Sequence, residues 1–384
     1  MIYLLILALI LFCVWRYDLL EETERKEVFY WGICVIFILL AGLRYEIGID
    51  TRMYMKSWEF YPDFWNMHWF EDISRFQEKA SGLNRFQPGW VLYCMIIRSI
   101  SEDFTLLQIV TALLFNIAIF RTIKKYSRYP FLTILIFYIN FKFLEFEFEI
   151  MRETVAVSVF LLLAFDNYIK RRWAAYYVGT AFAFFMHTSA ILMFMLPLVR
   201  NIDWSLKKYT IIMVMPSFLL AVAGRAILGN LINIFLGGSG FIAQYAAGAV
   251  ENETNLNYLL MYGLQPVLLY LLSAFGFKYI ESKEARTIVF FSIIFMNFNM
   301  VYFTAGRLVN YLVIQVFIAI TPIFYLLIKK CRTELIAVVL CLIYSAPTIY
   351  SFKKPENVAR YYPYQSVIYH NQTRYQKSIE PFQD

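Results

Sequence analysis

The sequence predicts an all-α, polytopic integral membrane helical bundle, and three observations carry that prediction. Apolar residues fill 60% of the 384 positions and charged residues only 16%, with a mean hydropathy of +0.55, outside the range of soluble domains. Runs long enough to cross roughly 30 Å of hydrocarbon recur from end to end. Short basic clusters separate them, as in the loops of membrane proteins. No linker rich in Pro, Gly or Ser divides the chain, so residues 1–384 are read as a single transmembrane domain.

The elements follow in order. MIYLLILALILFCVW lacks a basic n-region and a small-residue cleavage site, so it reads as a retained first span and not as a signal peptide. Further candidate spans lie near 28–43, 104–120, 130–143, 150–169, 173–187, 188–199, 209–228, 258–276, 287–303, 308–328 and 333–350, about twelve in all by the usual length rule. Basic clusters at 121–128, 170–172, 200–208, 278–286 and 329–332 mark the cytoplasmic side. The outward segments are then a large loop at 44–86, the turn 144–150, the surroundings of His187, 229–257, 304–307 and the tail 351–384. The run VLYCMIIRSI, 91–100, is short and carries Arg98. A full span there would turn the 121–128 cluster outward, so it reads as re-entrant or half-spanning. The short runs 130–143 and 188–199 fit broken helices around a cavity better than rods facing lipid.

This topology gathers polar residues on one outer face. Arg44 and Asp50 of RYEIGIDTRMY join Arg152 and Glu153 of EIMRETVAVSVFLLLAF, His187 of FFMHTSAILMFMLP and Arg307 of YFTAGRLVNYL. Each has a plainer reading. Arg152 can snorkel or pair with Glu153, His187 can be a satisfied helix-end group, and LEFEFE, Glu145 to Glu149, can be a wetted helix start with no metal, since no histidine accompanies it. The five cysteines, Cys13, Cys34, Cys94, Cys331 and Cys341, are isolated and read as packing residues. Three arginines beside one aspartate and one histidine nonetheless favour a site. Arginine forks bind phosphate oxygens and stabilise charge on a departing pyrophosphate. Asp50 or His187 is placed to take a proton from a hydroxyl. Aromatic residues, 19% of the chain, offer faces for sugar rings or prenyl tails as well as packing.

The fragments LRYEIGIDTRMY, QPGW at Gln87 to Trp90, MRETVA at 151–156, MHTSAILMFMLP at 186–197, GRLVNYL at 306–312 and YYPY at 361–364 together resemble the EpsG-type, Wzy-like membrane polysaccharide polymerases over most of the length. Two departures stand out: such proteins usually carry glutamate where Gln87 stands and glutamine where Glu153 stands. The resemblance implies a fold like the C-type glycosyltransferases, in the bacterial inner membrane with the active site facing the periplasm. It also implies undecaprenyl-pyrophosphate-linked oligosaccharides as donor and acceptor, joined into O-antigen, capsule or exopolysaccharide. Neither cofactor, metal, nucleotide sugar nor nucleic acid is implied; membrane lipids and a chain-length regulator protein are the further partners. Carried over residue by residue, it makes Asp50, His187, Arg152 and Arg307 catalytic, with Asp50 the base and His187 second choice. Arg44, Tyr54, Gln87, Glu153 and Tyr311 contact substrate. Two competing readings remain. A flippase of lipid-linked oligosaccharides would also need a cationic cavity, but no internal repeat is visible. A membrane O-acyltransferase would use a histidine base, but with an inward cluster.

Overall fold

The computed structural model describes residues 2–61, 64–65, 87–201, 205–208, 210–211, 256–280, 282–298, 303–331 and 355–369. They are helical, with one isolated β-bridge between Arg44 and Ser366 among them. Helices Ile2–Leu19, Phe104–Tyr126 and Val309–Lys330 are long and apolar enough to cross a membrane, and the chain is an integral membrane protein. The expected span 333–350, all but two residues of the expected span 209–228, residues 66–86 of the first loop and most of the loop 229–257 lie outside the described residues. The chain divides into two compact units, one of Met1–Tyr126, Pro130–Phe194 and Ser351–Asp384, the other of Ser127–Tyr129 and Met195–Tyr350.

In the first unit α1 (Ile2–Cys13) continues into a π-helical turn, Val14–Leu19. It is apolar all round, so burial alone distinguishes its faces. Ile6, Ile10 and Cys13 repeat at helical spacing and are buried, while Leu4, Leu5 and Phe12 are exposed, as side chains that meet lipid must be. α2 (Lys26–Gly42) then runs antiparallel to the long helix Phe104–Tyr126. Tyr30 Oη donates to the Phe120 carbonyl at 2.6 Å, and at the other end Gly42 lies against Ile109, where an added Cβ would stand 3.0 Å from its Cα. A small residue lets the two backbones close.

After α2 the chain turns into α3 (Ile49–Trp58), whose N-cap is Gly48. Its φ of +91°, and a Cβ position 2.1 Å from the Phe148 carbonyl oxygen, admit no side chain. α4 (Pro88–Arg98) has 11 residues, about 16 Å of helix, too short to cross hydrocarbon. Both ends of α4 lie beside α3. Its Trp90 ring is 5.4 Å from that of Tyr54, and Arg98 Nη1 donates to the Trp58 carbonyl at 2.9 Å with the guanidinium 5.6 Å from the Trp58 ring. A buried aromatic cluster of Tyr54, Trp58, Tyr61 and Trp90 fills the space between them. α5 (Phe104–Tyr126) follows.

The short runs break where their length implies. α6 (Pro130–Ile139) stops at Asn140, whose side chain caps a single turn, Phe141–Leu144. A π-helical stretch, Glu145–Glu149, then leads into α7 (Met151–Val159). α7 runs through a second π-helical segment, Phe160–Phe165, and a last turn, Asp166–Ile169. α8 (Trp173–Met186) returns along it and ends at His187, where the backbone becomes extended. The run after it is no α-helix but a 3₁₀ segment, Thr188–Met195, and one turn, Leu196–Val199.

The second unit contains α9 (Leu256–Phe275), α10 (Lys283–Phe298), a 3₁₀ segment Phe303–Leu312 and α11 (Val313–Cys331). Buried Arg200 pairs with Glu284 at 2.6 Å. Runs of 3₁₀ helix beyond three or four residues are uncommon. Two of them here follow or contain sequence motifs, at His187 and at Arg307.

Candidate active site

Arg152 is the second residue of α7 and is half-buried. Its Nε donates to Tyr54 Oη at 3.1 Å and its Nη1 to Gln87 Oε1 at 3.2 Å, with the guanidinium carbon 5.9 Å from the Tyr54 ring centre. The local folding explains the meeting. α4 starts here because Gln87 is extended and Pro88 occupies the first turn, where a missing amide hydrogen costs nothing. Gly89 lets that start press on the end of α8, since a Cβ there would be 2.7 Å from the Phe185 carbonyl oxygen. α7 begins beside it with no side-chain cap. Two helix N-termini, the positive ends of their dipoles, thus flank one guanidinium, an arrangement that favours a bound anion.

Glu153 projects from the next position of α7, about 100° round the helix, so it faces elsewhere. It is buried, and its Oε1 accepts from Ser189 Oγ at 3.2 Å. Ser189 Oγ in turn lies 2.6 Å from His187 Nδ1, while the Ser189 amide donates to the same nitrogen at 3.2 Å. With the proton on Nδ1 the chain runs imidazole to hydroxyl to carboxylate and Nε2 carries the lone pair; the amide favours the opposite tautomer. Sequence reasoning passed over Ser189. Its signal is spacing, since a hydroxyl two residues on reaches back to its neighbour. The two positions that depart from the resembled pattern, Gln87 and Glu153, both fall in this cluster; one lacks a carboxylate and the other adds one.

Arg44 is placed differently. It is only 2% exposed. Its Nη1 donates to the Ala41 carbonyl and its Nη2 reaches Thr51 Oγ1 at 3.4 Å, while its own carbonyl accepts from Gln108 Nε2 at 3.1 Å. It closes the C-terminal end of α2 and ties it to α3. The LEFEFE segment is not wetted, as the alternating pattern led one to expect. Glu147 is buried and accepts from Asn116 Nδ2 at 3.2 Å, because the π-helical turn swings it inward. Burial pushes its carboxyl up to about 8, against the Asn116 hydrogen bond and the Arg44 charge. Burial likewise pushes Arg44 down to about 10, against the Glu147 charge.

Asp50 is half-buried and stands one turn before Tyr54 on α3, so the two share a face. Of the arginines near it in sequence, Arg44 turns inward and Arg52 lies 3.7 Å from Glu46. The Asp50 charge adds to the rise that burial imposes on Glu149, a rise the Tyr361 hydroxyl opposes. In the second unit Arg307 is half-buried and Tyr311 fully buried on the 3₁₀ segment Phe303–Leu312. At three residues per turn Arg307 shares its side with Asn310, which is buried, and not with Tyr311. No group of metal-binding side chains occurs among the described residues. The sequence matches the family described as the EpsG family over residues 27–366. No curated protein and no solved structure matches the chain.

Proposed function

The chain belongs to the EpsG family, and from that premise we propose that it is a membrane polysaccharide polymerase that joins undecaprenyl-pyrophosphate-linked oligosaccharides at the outer face of the bacterial inner membrane. The observation that carries this reading is Arg152, held by Tyr54 and Gln87 where α4 and α7 both begin. The donor pyrophosphate takes that place. A hydroxyl of the acceptor sugar attacks the anomeric carbon, the bond from that carbon to the pyrophosphate oxygen breaks, and undecaprenyl pyrophosphate leaves with both bonding electrons. Arg152 stabilises the leaving charge, so no acid is needed there. Asp50 takes the hydroxyl proton, from the face of α3 that also carries Tyr54. Arg44 we assign to holding α2 and α3 together and not to substrate, since its donors point into the protein.

A second candidate for the base is His187, favoured by the chain through Ser189 to Glu153. Incubating the purified protein with lipid-linked repeat units and resolving the products on a gel tests the proposal. Ladders of increasing length support a polymerase. Movement of the labelled lipid across vesicle membranes without ladders makes it a flippase.

A further inference from the structure

The C-terminal segment takes no part in the chemistry above, yet residues 360–367 are tied to both elements that meet at Arg152. On one side the Arg360 carbonyl accepts from the Gly48 amide at 3.3 Å, the Gln365 carbonyl from the Tyr45 amide at 3.0 Å, and the Val367 amide donates to the Leu43 carbonyl at 2.9 Å. These bonds fix the turn from α2 into α3, and Gly48 is the residue from which α3 starts. On the other side Tyr361 Oη donates to Glu149 Oε1 at 2.7 Å, three residues before Arg152. The Tyr361 carbonyl also accepts from Tyr3 Oη at 3.1 Å, and its ring, buried at 5% exposure, lies against Phe141 and Phe148.

We propose that residues 360–367 form a strap that sets the starts of α3 and α7 relative to each other, with Tyr361 as its positioning residue. The proposal rests on Arg152 being the anion site. Tyr54 comes from α3 and Arg152 from α7, and their bond at 3.1 Å exists only if both helices start in the right place. Tail packing alone would need only the ring of Tyr361. The hydroxyl adds a specific tie to a half-buried acid that ends the π-helical turn before α7. A shift of about 1 Å at a catalytic group can cost as much as 10²-fold in rate, so a strap distant from the chemistry still governs it.

The test compares Tyr361→Phe, Tyr364→Phe and Arg152→Ala in the purified full-length protein, with initial rates on lipid-linked repeats and hydrogen exchange by mass spectrometry. Tyr364 Oη donates to the Leu40 carbonyl at 2.8 Å, a strap contact that touches neither helix start. Tyr361→Phe should lower kcat about tenfold at nearly unchanged donor KM and speed exchange in both 44–58 and 145–153. Tyr364→Phe should match the wild type in rate. Unchanged exchange in either segment, faster exchange with unchanged kcat, or an equal loss in Tyr364→Phe each overturns the strap. Should Arg152→Ala keep wild-type turnover while Tyr361→Phe shows both effects, the strap stands and the anion-site reading fails.

Discussion

Arg44 and Arg152 open the two most polar motifs of the first unit, and the protein treats them in opposite ways. The Arg44 guanidinium is sunk at the end of α2, spent on the Ala41 carbonyl and Thr51, and its Nε has no hydrogen-bond partner among the described residues. Arg152 is half-buried at the start of α7 and holds the side chains of Tyr54 and Gln87. The first arginine sits at a helix C-terminus, whose carbonyls attract a cation. The second sits between helix N-termini, which add positive potential to its own. Position in the helix therefore separates a cation that completes the fold from one arranged to receive an anion.

The largest expected effects test that contrast directly. Arg152→Ala should lower polymer formation per molecule by roughly 10²–10³-fold, the usual loss on removing one stabilising donor, with protein abundance close to wild type. Arg152→Lys should recover little, because a point charge lacks the fork that spans Tyr54 and Gln87. Arg44→Ala should do the reverse. It leaves the end of α2 unclosed and the Ala41 carbonyl and Thr51 hydroxyl without their donor, a loss of about 1–3 kcal/mol in stability, read as low abundance and a lowered thermal midpoint in detergent. The turnover of whatever Arg44→Ala protein folds should stay near normal. A stable but inactive Arg44→Ala would erase the distinction and return Arg44 to the substrate.

How far the sequence made these features legible depends on what each one requires. Apolar length is a local property, so the runs near 2–15, 104–120 and 308–328 announced the long helices Ile2–Leu19, Phe104–Tyr126 and Val309–Lys330, and the breaks at 130–143 and 188–199 were readable because those runs are too short. Tyr54, Gln87 and Arg152 were each named as site residues through a family pattern, but nothing in the sequence said that the first two hold the third. What stayed hidden were matters of direction. Nothing in RYEIGIDTRMY says that Arg44 turns inward while Asp50 shares a side with Tyr54, because that depends on where α2 ends. Nothing in LEFEFE announces a π-helical turn, which changes the period and buries Glu147. The strap was invisible because its partners are hundreds of residues away.

A smaller effect bears on the base. Asp50→Asn should lower kcat by about 10²-fold, since a general base commonly contributes that much or more, and His187→Gln should lower it about tenfold at most. Initial rates on lipid-linked repeats, with donor binding measured separately, distinguish the two. If donor binding is equal, an active Asp50→Asn with a dead His187→Gln moves the base to the imidazole. The chemistry would then pass from the α3 side of Arg152 to the α8 side.

The smallest expected effect concerns Ser189, which links the end of α8 to α7. Its hydroxyl lies between His187 Nδ1 and Glu153 Oε1, and all three groups are buried. One hydrogen bond of this kind contributes about 1 kcal/mol, so Ser189→Ala should change either the folding equilibrium constant or kcat by roughly fivefold, at 1.4 kcal/mol per factor of ten. Which quantity changes is the informative part. Under the Asp50 assignment Ser189 only seats the end of α8, as Arg44 seats the end of α2, and the loss appears in the thermal midpoint with kcat unaltered. Under the His187 assignment the hydroxyl fixes the tautomer, so kcat falls and its pH dependence moves while the midpoint holds. Thermal unfolding and a kcat–pH profile on the same preparation therefore decide whether Ser189 belongs with the arginine that builds the fold or with the one that awaits a ligand.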